Sequence, residues 1–139
     1  MTENEIAKVV VGTAMRVHTA LGPGLLESVY EIVLARALER AGLRIERQKP
    51  ISIVFEDLVF QEAFRADLWV EDKVIVELKS VESLLPVHCK QVLTQLRLSG
   101  LKLGLLLNFG EARLKNGLYR IINGKLTESP EIDPAEIIL

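Results

Sequence analysis

The chain has a single cysteine, Cys89, in 139 residues, so no disulfide can close within it and the lone thiol suits a reducing compartment. It has no run approaching the roughly 18 uncharged apolar residues that a membrane span needs, although 49% of its residues are hydrophobic. It has no basic or Arg-rich leader: the opening Met1-Thr2-Glu3-Asn4-Glu5 is acidic, and a cytoplasmic, non-membrane protein is expected. It has no internal repeat, low-complexity tract or linker, so residues 1–139 are expected to form one domain, long enough to bury a core.

Nor is there an excess of either charge overall, the net being −2. Local charge is less even. Between Pro86 and Gly104 the charged residues are Lys90, Arg97 and Lys102, with no acid; from Glu128 they are Glu128, Glu131, Asp133 and Glu136, with no base. A basic central segment permits a polyanionic partner without specifying one.

What is present is a change of period along the chain. Thr2 and Glu5 have capping-box spacing, and Ile6, Val9, Val10, Met15 and Val17 follow at helical intervals until Gly22-Pro23-Gly24 stops them. A second helix is expected from about Leu25 to Ala41, ended by Gly42, with Leu26, Val29, Ile32, Val33 and Ala37 facing the core and Arg36, Glu39 and Arg40 wet. Alternation then reads as strands over Ile51–Phe55, Phe64–Val70 and Val74–Val81. Pro86 opens a third helix to about Leu98, and Leu101–Phe109 is apolar enough for a strand covered on both faces. Leu118–Ile122 is a short late strand, and the tail from Pro130 is expected to be loosely held. The order predicts an α/β domain with a mixed, largely antiparallel sheet.

Within the strand Val74–Val81, Glu77 and Lys79 share one face. If Glu71-Asp72-Lys73 is a three-residue turn, Val70 pairs with Val74, Trp69 with Ile75 and Asp67 with Glu77. Two carboxylates then stand opposite, with β-carbons roughly 4.5–5.5 Å apart. A turn one residue longer or shorter sends them to opposite faces. Facing like charges destabilise a sheet unless neutralised, and paired carboxylates are ligands that Mg²⁺ and Mn²⁺ prefer. Lys79 could then hold a water or stabilise a charged transition state, as a phosphodiesterase requires. The same register places Arg65 opposite Lys79, so the four residues could equally be a salt-bridge quartet on a wet face, and spacing alone favours that plainer reading.

The third helix carries three stripes: polar His88, Gln91, Gln95 and Ser99, apolar Cys89, Leu93 and Leu96, and basic Lys90 and Arg97. The polar stripe could contact phosphate or a metal-bound water, or simply face solvent. For His88 the solvated face is expected. Cys89, without an activating partner, reads as packed rather than nucleophilic.

The segment Gly24-Leu25-Leu26-Glu27-Ser28-Val29-Tyr30 resembles the signature of the GxxExxY proteins, a small-protein family placed in the PD-(D/E)XK nuclease superfamily. The resemblance extends through Arg65-Ala66-Asp67, Val76-Glu77-Leu78-Lys79, the Gln91 helix and Leu105-Leu106-Leu107-Asn108-Phe109. It implies a restriction-endonuclease-like αβββαβ core and a nuclease in which Asp67 and Glu77 bind Mg²⁺, or Mn²⁺. The Leu78 carbonyl completes the metal shell, Lys79 assists the attacking water, and Glu27 joins the site, through a water if not directly. Gln91 matches a polar residue that follows the lysine in many such nucleases, and Tyr30 packs Glu27 against the sheet. Gln95 departs from the pattern, standing where an aromatic is usual. The partner so implied is nucleic acid, DNA ahead of RNA, cut by a single chain, a homodimer or a complex with a partner subunit. The competing expectations are a catalytically silent binding or regulatory module that retains the fold, and a structural protein with a charged hairpin.

Overall fold

The computed structural model describes residues 1–126 and the backbone of residues 136 and 137; the rest of the tail from Pro130, expected to be loosely held, lies outside the described residues. Helix α1 spans Glu3–Leu21, with Thr2 Oγ1 accepting from the Glu5 amide at 3.2 Å. It ends where Gly22, at φ 74°, donates its amide to the His18 carbonyl at 2.8 Å. Helix α2 (Glu27–Arg40) leads into a long hairpin of β1 (Ile45–Phe55) and β2 (Leu58–Val70), then β3 (Val74–Lys79). Helix α3 (Pro86–Ser99) connects β3 to β4 (Leu103–Asn108). A 3₁₀ turn at Leu114–Gly117, β5 (Leu118–Ile122) and β6 (Glu136–Ile137) follow.

The strands lie in the order β1-β2-β3-β4-β5-β6. The β3–β4 and β5–β6 pairs are parallel and the others antiparallel. The expected mixed sheet and αβββαβ core are therefore realised by α2, β1 to β3, α3 and β4. The period of two sorts the central strands: Leu68, Val70, Val74, Val76, Leu78, Leu103, Leu105 and Leu107 pack beneath α1 and α2. Ile75, Leu106 and Ile121 pack on the other face with Val92, Leu93 and Leu96 of α3; Ala66 joins them although it stands two residues from Leu68, so the alternation of β2 breaks at Asp67. Every residue of β4 is buried, as its apolar run predicts. Gly104 makes the α3 packing possible, because a β-carbon there would stand 2.6 Å from Val92 Cγ1. Among the described residues no helix is long and apolar enough to cross a membrane.

Two expectations need correction. Helix α2 buries Tyr30, Glu31, Leu34, Ala35 and Leu38; of the expected arc, Val33 and Ala37 pack half-buried against the core, whereas Leu26, Val29 and Ile32 are exposed. The core-facing arc is turned by about one residue position, roughly 100°. The cause is Tyr30, whose ring stacks on Phe109 with centroids 4.5 Å apart. Its hydroxyl donates to the Gly22 carbonyl and accepts from the Leu25 amide, so the polar tip is satisfied inside. The hairpin strands are also longer than alternation suggests, by Ile45–Pro50 at the start of β1 and Leu58–Ala63 at the start of β2. Leu58–Ala63 is exposed throughout and Ile45–Pro50 has no fully buried residue, which removes the burial that would have imposed an apolar–polar alternation.

Candidate functional site

The turn between β2 and β3 has the length the site requires, with Val70 paired to Val74, Trp69 to Ile75 and Leu68 to Val76. Glu71 and Asp72 both take positive φ, at 53° and 54°. That is costly for residues with a β-carbon, and side chains offset it. Glu71 accepts from the Arg44 amide and from Arg44 Nε, both at 3.1 Å, and Trp69 Nε1 donates to Asp72 Oδ1 at 2.8 Å.

One step beyond Leu68 and Val76 the backbone ladder gives way to the two carboxylates. The Asp67 amide donates to Glu77 Oε1 at 3.1 Å, and the Leu78 amide donates to Asp67 Oδ2 at 3.0 Å. Each acid thus binds the other's strand, and the pair is interlocked at the point where the strands part. This overturns the wet-quartet reading. Glu77 is only 7% exposed, Arg65 is held by Glu62, and no salt bridge among the described residues joins Arg65 or Lys79 to either carboxylate.

Burial pushes the Glu77 carboxyl up to about 9, and the neighbouring Asp67 charge adds to this; Lys79 pulls it down too weakly to compensate. Burial likewise raises Glu27, with Lys79 lowering it and Asp67 and Glu31 raising it further. Glu27, the first residue of α2, therefore lies within electrostatic reach of the aspartate and the lysine. It lines a cavity of about 440 Å³ together with Pro23, Gly24, Ser80 and Gly110. Asp67, Glu77, Lys79 and Glu27 are brought together. Gln91 is not: it is exposed on α3 and lines a separate cavity of about 500 Å³ with Phe64, Lys90, Thr94, Gln95 and Leu98.

Three residues missed by the sequence reading complete the surroundings of the pair. Gln48, at φ 51°, donates through Nε2 to Asp67 Oδ1 at 3.1 Å and to Glu31 Oε1 at 2.5 Å. Glu31, buried on α2, also accepts from Arg47 Nη2 at 2.8 Å. The only sequence signal was that Glu31 follows Glu27 by four residues and so shares its helix face. Asn108 is fully buried at the end of β4. Its Oδ1 accepts from the Val81 and Gly110 amides at 3.0 Å each, and its Nδ2 donates to the Val81 carbonyl at 2.9 Å. With the Phe109 amide on the Lys79 carbonyl at 2.8 Å, this clamp holds the strand end that carries Lys79. Gly110 is needed there, because a β-carbon would meet the Val81 carbonyl oxygen at 2.0 Å.

The donor set fits a divalent cation. Two facing carboxylates, one forced toward its neutral form by burial and by the other's charge, gain from a cation that a single half-buried lysine does not replace. Among the described residues, no three His, Cys, Asp or Glu side chains converge to hold a metal, so Glu27 does not complete a three-carboxylate cage. Hard oxygen donors supplemented by water are the arrangement Mg²⁺ accepts most readily.

Residues 4–121 match the family model described as the PD-(D/E)XK nuclease superfamily. No curated protein and no solved structure matches the chain significantly.

Proposed function

The chain belongs to the PD-(D/E)XK nuclease superfamily, and on that premise we propose that it hydrolyses DNA phosphodiester bonds with Mg²⁺, Mn²⁺ serving as a substitute. Within the superfamily we assign it to the GxxExxY group, on Gly24, Glu27 and Tyr30. The observation that carries the proposal is the interlocked carboxylate pair, Glu77 buried and Asp67 half-buried, with Lys79 two residues beyond Glu77.

Asp67, Glu77 and the Leu78 carbonyl would hold the ion, with Glu27 contributing through a water. When bound, the ion neutralises phosphate charge and lowers the pKa of the attacking water. The chain's residues do the remaining work. Gln48 and the Leu78 amide fix the Asp67 carboxylate, and the Asp67 amide fixes that of Glu77. Lys79, held at its carbonyl by Phe109, orients the water and stabilises charge developing on the phosphoryl oxygens. Glu27, raised by burial, is within electrostatic reach of Lys79 and can accept or return a proton through water.

Incubation of the purified protein with plasmid, linear and single-stranded DNA, with Mg²⁺ or Mn²⁺, tests this reading. Metal-dependent cleavage that is lost in Glu77→Ala and Lys79→Ala is expected, and cleavage that survives either substitution removes the assignment. A binding module without catalysis is the second reading. It is favoured by the lack of a three-side-chain metal cluster among the described residues. Salt-sensitive DNA binding with no cleavage under either metal would select it.

A further inference from the structure

The cavity between β2 and α3 is not used by the chemistry above, and its lining is unusual for a solvated helix face. Phe64 is half-buried on one wall, with Leu98 adding apolar surface. Gln91 and, one helical turn on along α3, Thr94 and Gln95 contribute two amides and a hydroxyl, and exposed Lys90 adds a cation. Gln95 Oε1 is buried without a hydrogen-bond partner. An orphaned buried acceptor is costly, and half a turn about the Cγ–Cδ bond exchanges that oxygen with the amide nitrogen and brings the other group to the cavity. The site therefore offers an aromatic face, an apolar wall, an adaptable amide edge and a positive charge. At about 500 Å³ it falls in the size range of small-ligand sites, roughly 300–1,000 Å³.

We propose that this cavity is a nucleobase subsite that takes one unstacked base of the substrate strand, with preference for a base bearing an exocyclic amino group, adenine first. This deepens the nuclease reading and rests on it. A base has two π-faces for Phe64 and Leu98, and a donor–acceptor edge for the glutamine amides, the pairing by which glutamine reads adenine. Lys90 takes the adjoining phosphate. Bases within a duplex keep their faces stacked, so the ligand is an unpaired or extruded nucleotide. Phe64 precedes Asp67 by three residues on β2, about 10 Å along the strand. The bound base therefore sits close along the strand to the carboxylate pair, within reach of the nucleotides next to the scissile phosphate. Gln91 is thereby reassigned from chemistry to recognition.

The test measures fluorescence anisotropy of the full chain with labelled single strands of equal length, oligo-dA, oligo-dT and an abasic strand, in EDTA so that nothing is cut. The wild-type protein is expected to bind oligo-dA and oligo-dT more tightly than the abasic strand by about 5- to 100-fold. Adenine stacks better than thymine in any case, so the deciding result is the variant. Gln95→Leu should lower the oligo-dA over oligo-dT preference several-fold, to the difference that stacking alone leaves, with abasic binding unchanged, and Phe64→Leu should bring both toward the abasic level. Lys90→Ala should weaken all three alike and reduce the salt slope by about one. Gln95→Met serves if Gln95→Leu fails to fold by circular dichroism. Equal binding of all three strands, or an unchanged adenine preference in the folded Gln95 variant, overturns the subsite. So does binding of an apolar peptide that competes with no strand. Plasmid cleavage by wild type with equal binding of the strands removes the subsite alone. Base-dependent binding without cleavage under any metal removes the nuclease reading alone.

Discussion

The two ends of β2 obey different rules. Its C-terminal end, Ala66–Val70, lies inside the sheet, where Ala66, Leu68, Trp69 and Val70 are buried and Asp67 is locked to β3. Its N-terminal end, Leu58–Phe64, pairs with β1 alone and forms a two-stranded ribbon on which Val54, Phe55, Leu58, Val59 and Phe60 are exposed. Burial on both sides gives the first end a register that a one-residue slip would destroy. The ribbon has no such constraint, and a shift of register lies at its Ile51–Ile53 step. Precision in this protein is confined to where the sheet is covered.

Removing a site carboxylate breaks the contrast most severely. Glu77→Ala is expected to cut metal-dependent cleavage by about 10²–10⁴-fold in a gel-based plasmid assay, whereas Phe55→Ala on the ribbon should leave the rate within about twofold. Inserting one glycine after Asp72 comes next. It moves Glu77 out of register with Asp67 and should abolish both cleavage and Mg²⁺ binding by calorimetry, while the same insertion after Glu56 leaves both intact.

Asn108→Ala probes the clamp behind Lys79 and should cost about 2–4 kcal/mol in urea unfolding, because a fully buried side chain and its three hydrogen bonds to Val81 and Gly110 are lost. A cost near zero would mean the clamp is not what holds the strand end.

The metal-free protein should also show a stability slope with pH. Glu77 titrates near 9 in the folded state against about 4.3 when unfolded. The folded chain therefore keeps a proton that the unfolded chain has released, so this contribution is full below about pH 4 and is lost as pH rises toward 9. The Tm of wild type in EDTA should fall across that window, and Glu77→Gln should flatten the fall and raise Tm by several degrees at pH 8. Mg²⁺ should reduce the difference by favouring ionised Glu77. The smallest effect is expected on the ribbon, where Val59→Thr should change stability by no more than about 0.5 kcal/mol.

Much of the site was legible because it is written in local patterns. The alternation in β3 put Glu77 and Lys79 on one face, and the polar Glu71-Asp72-Lys73 between two apolar strands set the register that the ladder from Val70 to Leu68 realises. Periodicity could not say whether that face was wet. It also misjudged α2, where Val29 and Ile32 look as apolar as Leu34 and Leu38 and only the docking of Tyr30 on Phe109 decides which arc turns inward. Gln48 was invisible for a similar reason. A glutamine among polar residues near a strand's start signals nothing until α2 brings Glu31 within 2.5 Å of its amide.

The sequence by itself therefore determined the order of elements, the carboxylate–lysine spacing and the turn length, since each depends on neighbours a few residues apart. The tertiary structure decided that Glu77 is buried, that Asp67 is braced from α2, and that Gln91 and Gln95 line a cavity of their own. Burial and charge coupling depend on what other parts of the chain bring to the same place, and no local spacing records that.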